Sequence, residues 1–287
     1  MYHEGFLGKL ESMKILDGAE LVGYIKERQL KQVRALRQSW RVLPRLAIIQ
    51  TTDNPVVDLY VRLKKDYGED IAIDVDVHKI NQDAVLTLIQ QLNDDPLVHG
   101  LIIQLPLANP DHTQELVNAV LAAKDVDGLG DKAAMTPATV TAIDWLLAGY
   151  NITLHDKKIV IVGNGRLVGA PLAKLWRQNE FDVTVCDDTT QDLGSVVAGA
   201  GLIVTATGVP SLITRDMVQP GAVVVDAGTA SEHGKIVGDV AADVRELDDI
   251  TITPIKGGVG PLTVAALFDN VISAARVIAD LQGQQDL

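Results

Sequence analysis

Apolar residues recur at spacings of three and four along residues 19–40, where Val22, Ile25, Val33, Leu36 and Trp40 stand among lysines and arginines. That periodicity predicts an amphipathic helix. After Pro44 comes a short apolar run, residues 46–49, which ends at a polar cluster as a buried strand does. Asn54 and Pro55 then supply an N-cap and a first-turn proline for a second helix. The alternation continues with a strand over 71–77, a helix over 83–93, a strand over 101–105 and a helix over 113–122. Strands separated by crossover helices imply a parallel sheet.

The polar, glycine-bearing stretch KDVDGLGDK, residues 124–132, interrupts this pattern and marks a domain boundary. Thr136 and Pro137 open a further helix running towards Gly149. A second series of strands is expected over 158–162, 183–186, 202–205, 222–226 and 250–252, and a final helix over 263–281 packing back on the first unit. The fold class is therefore α/β with two parallel-sheet domains, residues 1–134 with 264–287 and residues 135–263. No internal repeat is evident.

Composition narrows the possible partners. With 38 acidic and 25 basic side chains among 287 residues the net charge is −13, which argues against nucleic acid or an anionic membrane. Any anionic partner must be held locally. The one cysteine, Cys186, excludes an internal disulfide framework, and His3, His78, His99, His112, His155 and His233 never fall at zinc-site spacing. The first residues have acids at Glu4 and Glu11 and no long apolar core, so they read as neither signal nor transit peptide, and a cytoplasmic setting is expected. No stretch approaches the ~20 apolar residues of a membrane span.

The sharpest motif runs from Ile159 to Gly169: four apolar residues, then Gly163-Asn164-Gly165-Arg166-Leu167-Val168-Gly169 leading into a helix. Backbone N–H groups in such a turn face a pyrophosphate, although the G-x-G-x-x-x-G spacing is not the usual one and a turn that binds nothing has the same outline. About 20 residues further on stand Asp187 and Asp188, where an acid takes the ribose hydroxyls of NAD and repels the 2′-phosphate of NADP; the alternative is an ordinary acidic turn.

In the first unit, Val56, Leu59, Tyr60 and Leu63 make an apolar helical stripe, with Lys64 at its edge. A lysine in apolar surroundings loses basicity and can act as a general base; otherwise it snorkels to solvent. Gln104 stands near the carboxyl end of its strand, where parallel sheets bind ligands, or caps a chain end. Asp125 and Asp127 flank Val126 in a loop that turn chemistry alone would also explain. Gly257 opens a third glycine-rich loop, reading to Thr263, suited to close backbone approach or to hinging.

In this order, Tyr60-x-x-x-Lys64, Gln104-Leu-Pro-Leu, Lys124-Asp-Val-Asp127-Gly, Thr136-Pro137, the Gly163 turn, Ala206-Thr207-Gly208, Asp226-x-Gly228, Gly238-Asp-Val240 and Thr253-Pro254 leading to Thr263 span nearly the whole chain. The ordered set resembles the methylenetetrahydrofolate dehydrogenase/methenyltetrahydrofolate cyclohydrolase family. The resemblance implies a tetrahydrofolate-binding domain facing a Rossmann-like dinucleotide domain across a cleft, in a homodimer. It implies oxidation of 5,10-methylenetetrahydrofolate by hydride transfer to NAD(P), then hydrolysis to 10-formyltetrahydrofolate. By position, Lys64 becomes the catalytic lysine, Gln104 its partner, Asp127 the pterin carboxylate and Tyr60 the stacking ring, with Gly257 also at the substrate. The dinucleotide falls to Gly163, Asn164, Gly165, Arg166, Leu167, Asp187, Asp188, Thr207, Gly208, Gly228, Thr229 and Thr263.

Some positions depart from that pattern. Gly163-Asn164-Gly165 replaces Gly-Arg-Ser and Asp187-Asp188 replaces His-Ser, so attraction for a 2′-phosphate is lost and repulsion added: NAD is expected rather than NADP. Val57 replaces a serine, Lys256 a proline, Gly228-Thr229-Ala230 replaces Gly-Ile-Asn, and the stretch from Asp127 to Thr136 is short. A dehydrogenase of another reduced pterin or small acid, or a non-catalytic binder of folate or dinucleotide, stays open on these residues.

Overall fold

The computed structural model describes residues 14–232 and 235–281; His3, His233 and residues 1–13 lie outside the described residues. The element order is β1 (Lys14–Ile15), α1 (Gly18–Ser39), β2 (Arg45–Gln50), α2 (Pro55–Asp70), β3 (Asp74–Lys79), α3 (Val85–Asp94), β4 (Gly100–Ile103), α4 (Thr113–Ala119) and α5 (Ala138–Gly149). It continues with β5 (Ile159–Val162), α6 (Gly169–Gln178), β6 (Val183–Cys186), α7 (Leu193–Ala198), β7 (Leu202–Thr205), β8 (Val223–Asp226), β9 (Ala230–Glu232), β10 (Lys235–Val237), β11 (Thr251–Ile252) and α8 (Val259–Leu281).

The chain forms two compact units, Gly18–Trp145 with Gly260–Leu287, and Met1–Asp17 with Leu146–Val259. This division differs from the expected one, residues 1–134 with 264–287 against 135–263, in placing Asp17 with the second unit and in putting the internal break after Trp145. β1 pairs in parallel with β11, so Lys14 and Ile15 belong with the second sheet and not the first.

The first unit holds a parallel sheet in the order β3-β2-β4. Along β2, Leu46 and Ile48 enter one core while Ala47 and Ile49 enter another, because successive side chains point to opposite faces. Helices therefore cover both sides, and the strand is apolar throughout. Phe268, Val271 and Ala275 of α8 pack in the first of these cores with Val33 and Leu36 of α1, where the final helix was expected. Among the described residues α8 is the one helix long and apolar enough to cross a membrane, yet its apolar residues line this core.

Asn54 caps α2 by accepting a 2.8 Å bond from the Val56 N–H, with Pro55 in the first turn. The helix is longer than the sequence suggests. Ile71 is its C-cap and Ala72 takes a φ of +61°, so β3 starts at Asp74 instead of at residue 71.

The second unit holds a parallel six-stranded sheet in the order β1-β11-β8-β7-β5-β6. β6 and β7 lie on opposite sides of β5, so strand order reverses beside β5, which makes a ligand crevice at its carboxyl end. β9 and β10 form a separate antiparallel pair that the sequence pattern did not predict.

Candidate functional site

The structure reverses the expected faces of α2. Leu59 and Leu63 remain 41% and 45% exposed, while the buried positions are Val57, Val61, Tyr67 and Gly68. Lys64 follows Val57 by seven residues and Val61 by three, so it stands in line with the core face and not at the edge of a surface stripe. Val57, where a serine was expected, is core.

The half-buried Lys64 extends to the end of β4. Its Nζ donates to Gln104 Oε1 at 2.7 Å, while Gln104 Nε2 donates to the Leu105 carbonyl at 2.9 Å. The second bond fixes which end of the amide faces the lysine. Burial pulls the Lys64 pKa below the usual lysine range, opposed by the nearby Asp127 carboxylate. The reciprocal holds at Asp127, whose pKa burial raises while Lys64 draws it down and Asp125 adds to the rise. Tyr60, one turn before Lys64, is partly buried, and burial raises its phenol pKa. Lys64, Gln104, Asp127 and Tyr60 thus share the first unit.

Each residue of the Lys124–Gly128 loop has a separate task. Lys124 Nζ donates to the carbonyls of Leu92, Asn93 and Asp95 at 2.9, 2.7 and 2.6 Å, closing the C-terminal end of α3. Asp125 accepts from the N–H groups of Gly128 at 2.9 Å and Gly130 at 2.8 Å, which is the turn chemistry expected of it. Val126 is in the core. Asp127 is left without a structural bond of this kind and is only partly buried. Gly128 has a φ of +71°, and a Cβ there would press on the Met135 carbonyl oxygen at 2.8 Å.

In the second unit the candidate dinucleotide residues converge on the carboxyl edge of the sheet. Gly163 ends β5 with a φ of +105°, and a Cβ on it would lie 2.6 Å from the Ala206 carbonyl oxygen beyond β7. A Cβ on Gly169 would overlap the Gly163 carbonyl, so only glycine lets α6 start this close to the turn. Gly165 faces open space, and Asn164, Arg166 and Leu167 are exposed. This open run of backbone at a helix start suits a pyrophosphate. Gly208 has a φ of +71°, with its Cβ direction 3.5 Å from the Thr229 carbonyl oxygen, so the Thr207-Gly208 and Gly228-Thr229 turns are neighbours.

Asp187 and Asp188 are both exposed just past β6. Asp187 Oδ1 accepts from Thr189 N at 3.1 Å and Thr189 Oγ1 at 2.7 Å, bonds that hold its pKa below the usual carboxylate range. Asp187 is therefore partly spent on its own turn. Gly257, with a φ of +91°, lies in the second unit two residues before the start of α8, while Thr263 lies on α8 in the first.

Comparison with known proteins decides between the readings. Residues 16–127 match the tetrahydrofolate dehydrogenase/cyclohydrolase catalytic domain, and residues 137–279 match the NAD(P)-binding domain of the same family. The chain belongs to the tetrahydrofolate dehydrogenase/cyclohydrolase family. It is 36% identical over 276 residues to the bifunctional protein FolD of Lactobacillus helveticus (strain DPC 4571), covering 92% of this chain and 98% of the relative. The crystal structure of the bifunctional enzyme FolD from Campylobacter jejuni superposes with a TM-score of 0.86 at 36% identity, covering 93% of this chain and 99% of that one. The Trypanosoma brucei methylenetetrahydrofolate dehydrogenase-cyclohydrolase, solved with NADP and an inhibitor, gives a TM-score of 0.86 at 27% identity over 93% of this chain and 98% of its own.

Asp226-x-Gly228 and Gly238-Asp-Val240 carry two acids to which the sequence assigns no role. The structure shows two buried carboxylates holding the loops of the dinucleotide edge. Asp226 Oδ2 accepts from Arg245 Nη2 at 2.9 Å and Val240 N at 3.2 Å, and its Oδ1 from Asp239 N at 3.0 Å. Burial raises its pKa, against the pull of those donors. Asp239 Oδ2 accepts from Thr205 Oγ1 at 2.7 Å and Thr207 N at 2.6 Å. Gly228 and Gly238 lie so near these carboxylates that a Cβ on either would overlap them. Asn270, on α8, was also missed: its Nδ2 donates to the Val126 carbonyl at 2.9 Å and the Thr136 carbonyl at 3.1 Å.

Proposed function

We propose that the chain oxidises 5,10-methylenetetrahydrofolate to the methenyl form and hydrolyses that cation to 10-formyltetrahydrofolate, using NAD in preference to NADP. The observation that carries this reading is the Lys64–Gln104 pair beside Asp127, a weakened base, a neutral acceptor and a free carboxylate in one unit.

Asp127 accepts charge-assisted hydrogen bonds from the amino and N–H edge of the pterin. Tyr60 offers its ring to the folate, and the exposed Leu59 and Leu63 on the same side of α2 continue that apolar surface. With the pterin donating to Asp127, part of the carboxylate's hold on the Lys64 proton is relieved, so substrate binding favours the neutral amine. Neutral Lys64 then takes a proton from the water that attacks the methenyl carbon. Gln104 orients that amine without adding a negative charge that would keep it protonated.

The residues of the second unit fit a dinucleotide: the open Gly163–Leu167 turn would hold the pyrophosphate, and Thr207, Gly208, Gly228 and Thr229 would line the rest. When bound, the nicotinamide supplies the acceptor for the hydride. The preference for NAD rests on Asp187 and Asp188 at the end of β6 and on Asn164 in the turn: a 2′-phosphate would meet carboxylates after β6, and position 164 offers it an amide where the family resemblance leads one to expect a guanidinium. The Trypanosoma brucei relative, by contrast, was solved with NADP.

We take the assembly to be a homodimer, supported by the open edge of β3, which among the described strands pairs only with β2. A cytoplasmic setting fits the single buried Cys186. Initial rates with methylenetetrahydrofolate and each dinucleotide test the proposal: a higher kcat/KM with NAD is expected, and a higher value with NADP overturns the cofactor assignment. Absence of turnover with both removes the folate reading.

A further inference from the structure

Asn270 spends both hydrogens of its amide on the main chain. One goes to the Val126 carbonyl at 2.9 Å and the other to the Thr136 carbonyl at 3.1 Å. Those two carbonyls immediately bracket residues 127–135, so a single side chain ties the entry of that loop to its exit. The tie is anchored. The adjoining Asp269 accepts from Arg28 Nη2 at 2.7 Å and Gln29 Nε2 at 3.1 Å. Gln29, fully buried, also donates to the Ala265 carbonyl at 2.8 Å and accepts from Tyr67 of α2 at 2.7 Å. The rotation and height of α8 are therefore set against α1 and against the helix that carries Lys64.

Within the loop, Asp125 gathers the N–H groups of Gly128 and Gly130. Asp127 sits between this internal brace and the Asn270 tie, one residue from each. A carboxylate that grips a ligand must hold its place to a fraction of an ångström, and a short loop closed at both ends gives it little freedom. We propose that Asn270 is a positioning residue for folate: by closing the 127–135 loop it sets the reach of Asp127 towards the pterin, without touching substrate itself. This rests on the reading that Asp127 binds the pterin.

The test compares Asn270→Leu, similar in volume but without donors, with wild type, with Asp127→Asn and with the double variant. The expected result is a rise of about tenfold or more in the KM for methylenetetrahydrofolate in Asn270→Leu, with the KM for NAD within about twofold. In the Asp127→Asn background the same change should add less than about twofold, because its route of action is already gone. An unchanged folate KM overturns the proposal, as do equal rises in both KM values or losses that multiply in the double variant. If Asp127→Asn itself binds folate normally, the pterin assignment falls and the proposal with it. Asn270→Ser, too short to span both carbonyls, gives the same readouts should the leucine variant not fold.

Discussion

Lys64 and Gln104 meet through a 2.7 Å hydrogen bond in which the acceptor is a neutral amide, and the lysine is one whose pKa burial has lowered. A general base works only when unprotonated, so activity rises as pH rises through its pKa. In Gln104→Glu a carboxylate would replace that amide and favour the ammonium, raising the pKa. The rising limb of methenyl hydrolysis should move up by about 1–2 pH units, with a loss of roughly tenfold or more near neutrality. A pH–rate profile checks this, and Lys64→Met should abolish the hydrolysis altogether.

Lys124 is nearly buried and serves three carbonyl groups around the end of α3. Lys124→Met keeps the aliphatic stem but strands those acceptors, which should cost about 2–3 kcal/mol in urea denaturation. The KM for dinucleotide should not change.

Gly169 and Gly165 lie in one motif yet should answer differently to alanine. A methyl group on Gly169 would overlap the Gly163 carbonyl, whereas Gly165 has open space around it. Gly169→Ala should lose about 3 kcal/mol or more through displacement of α6. Gly165→Ala should melt like wild type while weakening dinucleotide binding, since the added methyl stands where phosphate is expected. Thermal melts and cofactor titrations of the two variants separate the outcomes.

Arg245 is the charged partner of the buried Asp226. Arg245→Met should destabilise by about 3 kcal/mol near pH 7, because it leaves a buried carboxylate held by backbone N–H groups alone, without its charged partner. Burial already raises the Asp226 pKa, and loss of the guanidinium raises it further. A group that binds its proton more tightly folded than unfolded favours the folded state as pH falls. The deficit should therefore be full at neutral pH and shrink on acidification through the raised pKa, as urea titrations at several pH values would show.

Much of the architecture is legible because its inner strands are parallel and buried, so they read as short apolar runs: residues 202–205 are β7 as expected from sequence, while the half-buried edge strand β6 also falls at the expected residues 183–186. The faces of α2 were misread for a physical reason. Val56, Val57, Leu59, Tyr60, Val61 and Leu63 make two overlapping stripes, and periodicity does not distinguish a core face from a side kept apolar for a ligand. The ordered motifs single out Lys64 and Gln104, which the structure joins by a hydrogen bond, and Asp127 nearby. Asp239 stands in one of those motifs, Gly238-Asp-Val240, but its partners Thr205 and Thr207 are remote in sequence, so its role is not legible there. Asn270 and Arg245 carry no motif signal, because their partners are backbone groups or side chains far along the chain. β9 and β10 are short and lack a strong alternation, and β1 has two residues.

The pairing of β1 with β11 also bears on how the protein is made. β1 precedes every other described element, and its partner follows all the other described strands. A ribosome therefore releases the first strand long before the place it must occupy exists, and the second sheet closes only after the intervening unit has emerged. No single cut separates the two units cleanly, so excising either for study means keeping segments from both sides of the other.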